Sequence, residues 1–248
     1  RRGTFVRHAH NKKRIAVLCE GSLKEETAYF YRALIKALSA EFEGKALVED
    51  VYDGRSGVSE EEDWQQSRAF QRFLMDHGNH PFDGMIAISL PEDWEDPHFL
   101  SSLPSARLNG YYAQPDVSLD YADFAASSLS FLNEIGRKNI VYLRTLAELA
   151  GRMADLEGIS RAVQELAIPE PKIEQLIENQ RSVGGHAIER SAYQKTLELF
   201  EGWEQKENRP DALIISDDIG ARGVAMALLK KGVRVPEDVT LLSFATEG

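Results

Sequence analysis

The sequence predicts an α/β protein made of two Rossmann-like subdomains in tandem, each built on a parallel sheet. Three observations carry this. Short apolar runs of strand length alternate with segments whose apolar residues recur at helical spacing. That alternation is what parallel strands joined by helical crossovers require. The series also runs through four strands and then begins again, in a chain of 248 residues, more than one compact core usually holds.

The first series opens at Arg14 to Cys19 (RIAVLC), a buried strand followed by the polar loop Glu20 to Glu25. Glu26 to Phe42 is predicted helical, with Phe30, Ala33, Leu34, Ala37 and Leu38 on its apolar face. Leu47 to Tyr52 reads as the second strand. A charged loop then leads into a helix ending near His77-Gly78. Phe82 to Ile88 is the third strand, Trp94 to Leu103 a short helix, and Ala106 to Asn109 the fourth strand.

The second series starts with a helix over Asp120 to Ile135 and a strand over Asn139 to Leu143. Met153 to Leu166 is helical, Lys172 to Asn179 is weakly patterned, Gly184-Gly185-His186 reads as a turn, and Ser191 to Glu204 is a helix. Pro210 to Phe244 (PDALIISDDIGARGVAMALLKKGVRVPEDVTLLSF) is the most informative stretch. Ala212 to Ile215 is a strand, and Ser216-Asp217-Asp218 offers capping side chains to a helix over Ile219 to Lys231. Gly232 ends that helix, Pro236 follows, and Val239 to Phe244 is a second buried strand. The expected division is the remnant of a preceding domain plus a linker over 1–13, one subdomain over 14–119 and another over 120–248. A ligand is expected in a cleft between the two subdomains, at the carboxyl ends of the strands.

Composition excludes several classes. The net charge of −11 makes this chain a poor partner for a phosphate backbone. One cysteine, Cys19, rules out an internal disulfide framework. No apolar run approaches ~20 residues, so no membrane span is expected. The basic N-terminus lacks the apolar stretch of a secretory signal, so the expected location is the cytoplasm. The six histidines have no metal-ligand spacing, and there is no P-loop or nucleophile elbow. Neither an enzyme nor a cofactor or metal site is expected.

Ser216, Asp218, Ala221 and Gly223, followed by Gly232-x-Arg234-Val235-Pro236-Glu237-Asp238-Val239, resemble the effector-binding domain of LacI/GalR-type repressors. Phe82-Asp83-Gly84, Val117 to Asp120, Gly136 to Ile140, and the Gly158, Ala162, Ile168 spacing resemble further parts of the same pattern, in the same order. The resemblance implies a periplasmic-binding-protein-like fold of type I, a homodimer and a small-molecule effector, most simply a carbohydrate. It also implies further strands and helices after the residues matching Leu241 to Glu247, so the C-terminal end is expected to be incomplete. Arg1 to Val6 (RRGTFV) is similar to the end of the wing in GntR-type winged-helix domains. That implies operator DNA as a partner of the parent protein, read by a preceding domain. A solute-binding protein of a transport system is the alternative.

The resemblance places effector contacts at strand ends. Asp217 would accept hydrogen bonds from ligand hydroxyls and Asp218 would shape the pocket, although both also suit an N-cap. Asn109 could donate and accept, or simply turn the chain before Gly110. Glu20 and Ser22 follow the first strand and Ser89 the third, each also readable as an ordinary loop residue. Tyr29 is a stacking candidate. Asp155 stands where the family usually has an effector-gripping Arg, with Arg152 one turn earlier, and Ala245 stands where an Asp is common.

Overall fold

The computed structural model describes residues 13–19, 23, 29–43, 45, 48–53, 67–90, 103–108, 116–144, 153–176, 185–201 and 209–244. The wing-like residues Arg1 to Val6 lie outside them, as does the segment read as a short helix except for Leu103. The chain divides into two compact units: among the described residues the first takes those up to Val117 except Tyr29, and the second takes Tyr29 and everything from Ser118 onward.

The first unit has strands β1 (Arg14–Cys19), β2 (Val48–Asp53), β3 (Gly84–Ile88) and β4 (Ser105–Leu108), with helices α1 (Tyr29–Glu43) and α2 (Arg68–Asn79). All strand pairs are parallel, in the order β2-β1-β3-β4, and Val17 lies opposite Val51 on one side and Ile86 on the other. Side chains alternate between the faces of a strand, so one unit has two half-cores. On one face Phe30, Leu34 and Leu38 of α1 pack on Val17, Cys19 and Ile88, joined by Tyr31 and Ile35. Tyr52, next to Val51, turns the other way into an aromatic cluster with Phe73 and Phe82, whose rings stack with centroids 5.5 Å apart. Ser67 starts α2 by accepting from the Phe70 N–H at 3.1 Å.

The second unit runs α3 (Tyr121–Glu134), β5 (Ile140–Arg144), α4 (Ala154–Leu166), β6 (Lys172–Gln175), α5 (Gly185–Leu199), β7 (Ala212–Ile215), α6 (Asp218–Lys230) and β8 (Thr240–Ser243). Its sheet is parallel with order β6-β5-β7-β8, the topology of the first unit repeated. Ile140, Tyr142, Ala212 and Ile214 face α3 and α4, while Val141, Leu143, Leu213 and Ile215 face α5 and α6. Near-continuous apolar strands of this kind are what burial on both faces demands.

Two sequence expectations need correction. Gly185 and His186 are not a turn: they open α5, six residues before the expected start, and the helix ends at Leu199 rather than Glu204. Ile188 and Ala192 are buried one turn apart and continue the helical face back past Ser191. The weakly patterned segment holds strand β6. An edge strand has exposed positions, here Lys172 and Ile173, so its sequence lacks the apolar run of a central strand.

The two units also share a device at the amino ends of their strands. Asp83 accepts from the Arg14 N–H at 2.8 Å and ties the start of β1 to β3. Asp211 accepts from the Lys138 and Asn139 N–H groups, both at 3.0 Å, and ties β5 to β7 in the same way. The motif from Gly232 to Val239 has a structural meaning as well. Gly232 has φ +70°, which suits glycine at a helix exit. Arg234 then donates to Asp238 from its backbone N–H at 3.0 Å and from Nε at 2.9 Å, so the turn into β8 is closed on itself.

Candidate functional site

In a parallel α/β unit the strand carboxyl ends and the helix N-termini share one end, where backbone N–H groups are unsatisfied. In the second unit this end gathers polar side chains. Arg144 ends β5 and is 5% exposed. Its Nε donates to Asp155 at 2.7 Å and its Nη2 at 3.1 Å, a two-pronged ion pair with both side chains 7% exposed. Asp155, in the first turn of α4, also accepts from the Leu156 N–H at 2.9 Å. The cation therefore stands on a strand end, and the acid stands on the helix.

Tyr142 lies two residues before Arg144 on the same face of β5 and is fully buried. Among the described residues its hydroxyl has no hydrogen-bond partner within normal geometry, and the Ser216 side chain is the nearest group able to bond it. Burial, with Asp155 close by, pushes the phenol well above its usual range, while the nearby Ser216 side chain and then Arg144 pull the other way. A buried hydroxyl without a partner is uncommon and costs stability unless something bonds it.

Asp217 follows β7 as the N-cap of α6, and its Oδ1 accepts from the Gly220 N–H at 2.7 Å. Burial pushes its carboxyl up to about 6, with the neighbouring Asp218 adding to the shift and the bonded N–H groups opposing it. Beside it the chain leaves β8 through Phe244, whose ring stacks on Phe124 at 4.0 Å and meets Tyr121 edge-on at 5.5 Å. The Ser243 hydroxyl donates to the Phe244 carbonyl at 2.8 Å. An aromatic wall next to hydrogen-bonding groups is the combination a hydroxyl-rich ligand with apolar faces uses.

The same end of the first unit is plainer. Cys19 closes β1, buried at 0%. Ser89 follows β3 with φ +54°, a left-handed backbone unusual for a residue with a Cβ, and its N–H donates to the Leu108 carbonyl at 3.0 Å. Asp53, at the end of β2, accepts from the Leu23 N–H at 3.1 Å. Tyr29 is the first residue of α1.

Of the residues singled out in the sequence, Asp155, Asp217 and Asp218 thus occupy one end of the second unit and Ser89 the matching end of the first. Glu20, Ser22, Asn109 and Arg152 lie outside the described residues, together with Ala245, Thr246 and Glu247. Arg144 and Tyr142 escaped the sequence reading. The signal for Arg144 was a charge ending an otherwise buried strand, IVYLR. Among the described residues no group of three or more His, Cys, Asp or Glu could hold a metal ion, and no helix is long and apolar enough to cross a membrane.

Two α/β units with the same parallel topology and polar groups at the strand ends define a periplasmic-binding-protein-like fold of type I. Residues 129–247 match the family model of the periplasmic binding protein-like domain. The chain is 26% identical over 131 residues to catabolite control protein A of Priestia megaterium. That stretch is 52% of this chain and 36% of the relative, so the match spans about a third of the relative's length. Among solved structures, the transcription regulator CcpA of Lactococcus lactis superposes with a TM-score of 0.64 at 17% identity, over 94% of this chain and 79% of that one. A LacI-family transcriptional regulatory protein from Corynebacterium glutamicum gives 0.60 at 20% identity, over 93% and 75%. Both solved structures are of transcription regulators.

Proposed function

We propose that this chain is the effector-binding and dimerising part of a bacterial DNA-binding transcription regulator of the LacI/GalR kind, with a sugar or sugar derivative as effector. One observation carries the reading most directly. At the strand-carboxyl end of the second unit, a buried Tyr142 hydroxyl has no partner of normal geometry among the described residues; it stands beside Asp155 and Ser216, near the aromatic wall of Phe124 and Phe244. Asp217 and Ser89 are the further contacts, with Asn109, Ser22, Glu20, Tyr29 and Arg152 assigned by sequence alone. The effector acts by binding one conformation of the regulator better than another, and it shifts operator affinity only by that difference.

Pairing into a homodimer is supported by α6, where Met226 and Leu229 are 52% and 81% exposed on one side of the helix. The similarity of Arg1 to Val6 to a wing supports a winged-helix DNA reader in the whole protein, working in the cytoplasm as a repressor. The acidic charge of −11 keeps this part off the DNA itself.

The test is a thermal melt of the chain across a carbohydrate and polyol panel, followed by an operator-binding assay on the whole regulator. A saturable rise in Tm, with a change in operator affinity from the same compound, is expected. A panel without any shift counts against a sugar effector.

A further inference from the structure

Resting on that reading, we propose that the effector site of the second unit selects an uncharged or cationic hydroxyl-bearing ligand and rejects phosphorylated or acidic ones, with Asp155 as the residue that sets this choice. The inference begins with the Arg144–Asp155 pair. An arginine at a strand end, beside helix N-termini, would ordinarily be an anion receptor, because its planar fork matches phosphate and carboxylate oxygens. Here Nε and Nη2 are both given to the Asp155 carboxylate, at 2.7 and 3.1 Å, inside a pair that is almost fully buried. An entering anion would have to displace a carboxylate already held by two charge-assisted bonds.

The surroundings favour the same choice. Four more carboxylates sit at this end of the unit: Asp120 and Asp123 at the start of α3, and Asp217 and Asp218 at the start of α6. They take the places where helix N-termini would otherwise attract an anion. Arg222, one turn into α6, is 3.6 Å from Glu189. An anion would therefore meet negative charge at this end of the unit, where protein surroundings weaken the repulsion less than water does.

Tyr142 indicates what is accepted instead. Among the described residues its buried hydroxyl has no partner of normal geometry, with the Ser216 side chain near it, and the phenol stays protonated because burial and Asp155 oppose its ionisation. It is therefore a donor beside acceptor carboxylates. A ligand hydroxyl both donates and accepts, so it satisfies the phenol and a carboxylate at once; a phosphate oxygen only accepts.

The experiment compares the chain with Asp155→Asn, using inorganic phosphate as probe in isothermal titration calorimetry at low temperature. The unchanged chain should show no saturable binding up to 10 mM (about a hundredfold above a tight site, by mass action). Asp155→Asn keeps the shape but releases Arg144 and should bind phosphate at least tenfold better. Equal phosphate binding by both chains overturns the proposal. In case Asp155→Asn fails to fold, a second arm uses only the unchanged chain, melted with glucose, glucosamine, gluconate and glucose 6-phosphate. Stabilisation by an acidic member equal to or above its neutral parent overturns the selectivity and leaves the sensor reading standing. No response to any of the four compounds, with phosphate unbound by Asp155→Asn as well, overturns the proposal together with the sugar-sensor reading, so the two failures are distinct.

Discussion

The two units share a topology but pack and charge it differently. Counted from the aspartates that tie their strands, Ser89 lies as far beyond Asp83 as Asp217 lies beyond Asp211, and Cys19 occupies the position that Arg144 holds in the second sheet. In the first unit that place is a buried thiol; in the second it is a buried ion pair. The helices differ in the same way. The first unit fills the face beneath α2 with the rings of Tyr52, Phe73 and Phe82, with the Arg14 guanidinium 4.4 Å from the Phe82 ring centroid. The second brings helix backbones together over glycine. A Cβ on Gly158 would lie 2.1 Å from the Ala122 carbonyl oxygen, and one on Gly223 2.1 Å from that of Glu189. One scaffold thus supports an aromatic, adaptable half and a tightly seamed half whose strand ends carry the ionic groups. The ionic groups of the second unit thus stand where helix backbones approach most closely, an arrangement that holds polar groups in fixed positions.

The largest expected effect comes from breaking the ion pair. Arg144→Met alone leaves Asp155 buried and uncompensated, and should lower stability by roughly 3–5 kcal/mol. Arg144→Met with Asp155→Leu removes both charges and should recover most of that loss. The matching change in the first unit, Cys19→Ala, removes only a small buried group and should cost on the order of 1 kcal/mol. Urea melts of the four proteins check this. A double variant no more stable than Arg144→Met would mean the pair does more than satisfy itself.

Next come the glycines. Gly158→Ala and Gly223→Ala should each lose roughly 1–3 kcal/mol or more, because the atoms in the way are backbone and cannot swing aside. Gly78 in α2 is the control, since a Cβ there would meet nothing within 4 Å. Gly78→Ala should gain about 0.5–1 kcal/mol from helix propensity alone. Thermal melts separate the two outcomes by sign.

These positions also show how much could be read from the residues alone. Strand-length apolar runs at RIAVLC and ALII gave two strands at their observed bounds, because a strand buried on both faces has no other composition. Gly158, Gly223, Arg234 and Asp238 were visible only as a motif. The close approaches and the self-closed turn that explain them depend on contacts between distant elements. Strand β6 was missed because edge exposure removes the pattern, and the start of α5 because two glycines ordinarily signal a turn. Asp217 was legible as a cap, whereas the pairing of Asp155 with Arg144 across 11 residues needed the sheet to place them.

The two halves should also answer pH in opposite directions, and this is the smallest and sharpest contrast. Burial pushes Asp217 up to about 6 from 3.8, so between those values the folded chain holds a proton that the unfolded chain releases. Stability from this group is highest below pH 4 and falls as pH rises through about 6. Asp217→Asn keeps a capping oxygen but removes the charge. It should stabilise the chain at pH 7.5 by roughly 1–3 kcal/mol and flatten its pH dependence between 4 and 6. In the first unit, burial lowers the pKa of His77 from 6.5, and its neutral Nδ1 accepts from the Phe82 N–H at 3.2 Å. Charging the ring costs burial and that acceptor, so this contribution is lost as pH falls below 6.5. His77→Asn keeps an acceptor without a titration and should remove only the acid-side loss. Hydrogen exchange read separately on β3 and β7 at pH 5 and 7.5 resolves the two signals. Acidification should speed exchange in β3 relative to β7, after correction for intrinsic rates, and Asp217→Asn with His77→Asn should abolish the difference. A pH response of the same sign in both strands would show that the charges do not act within their own halves.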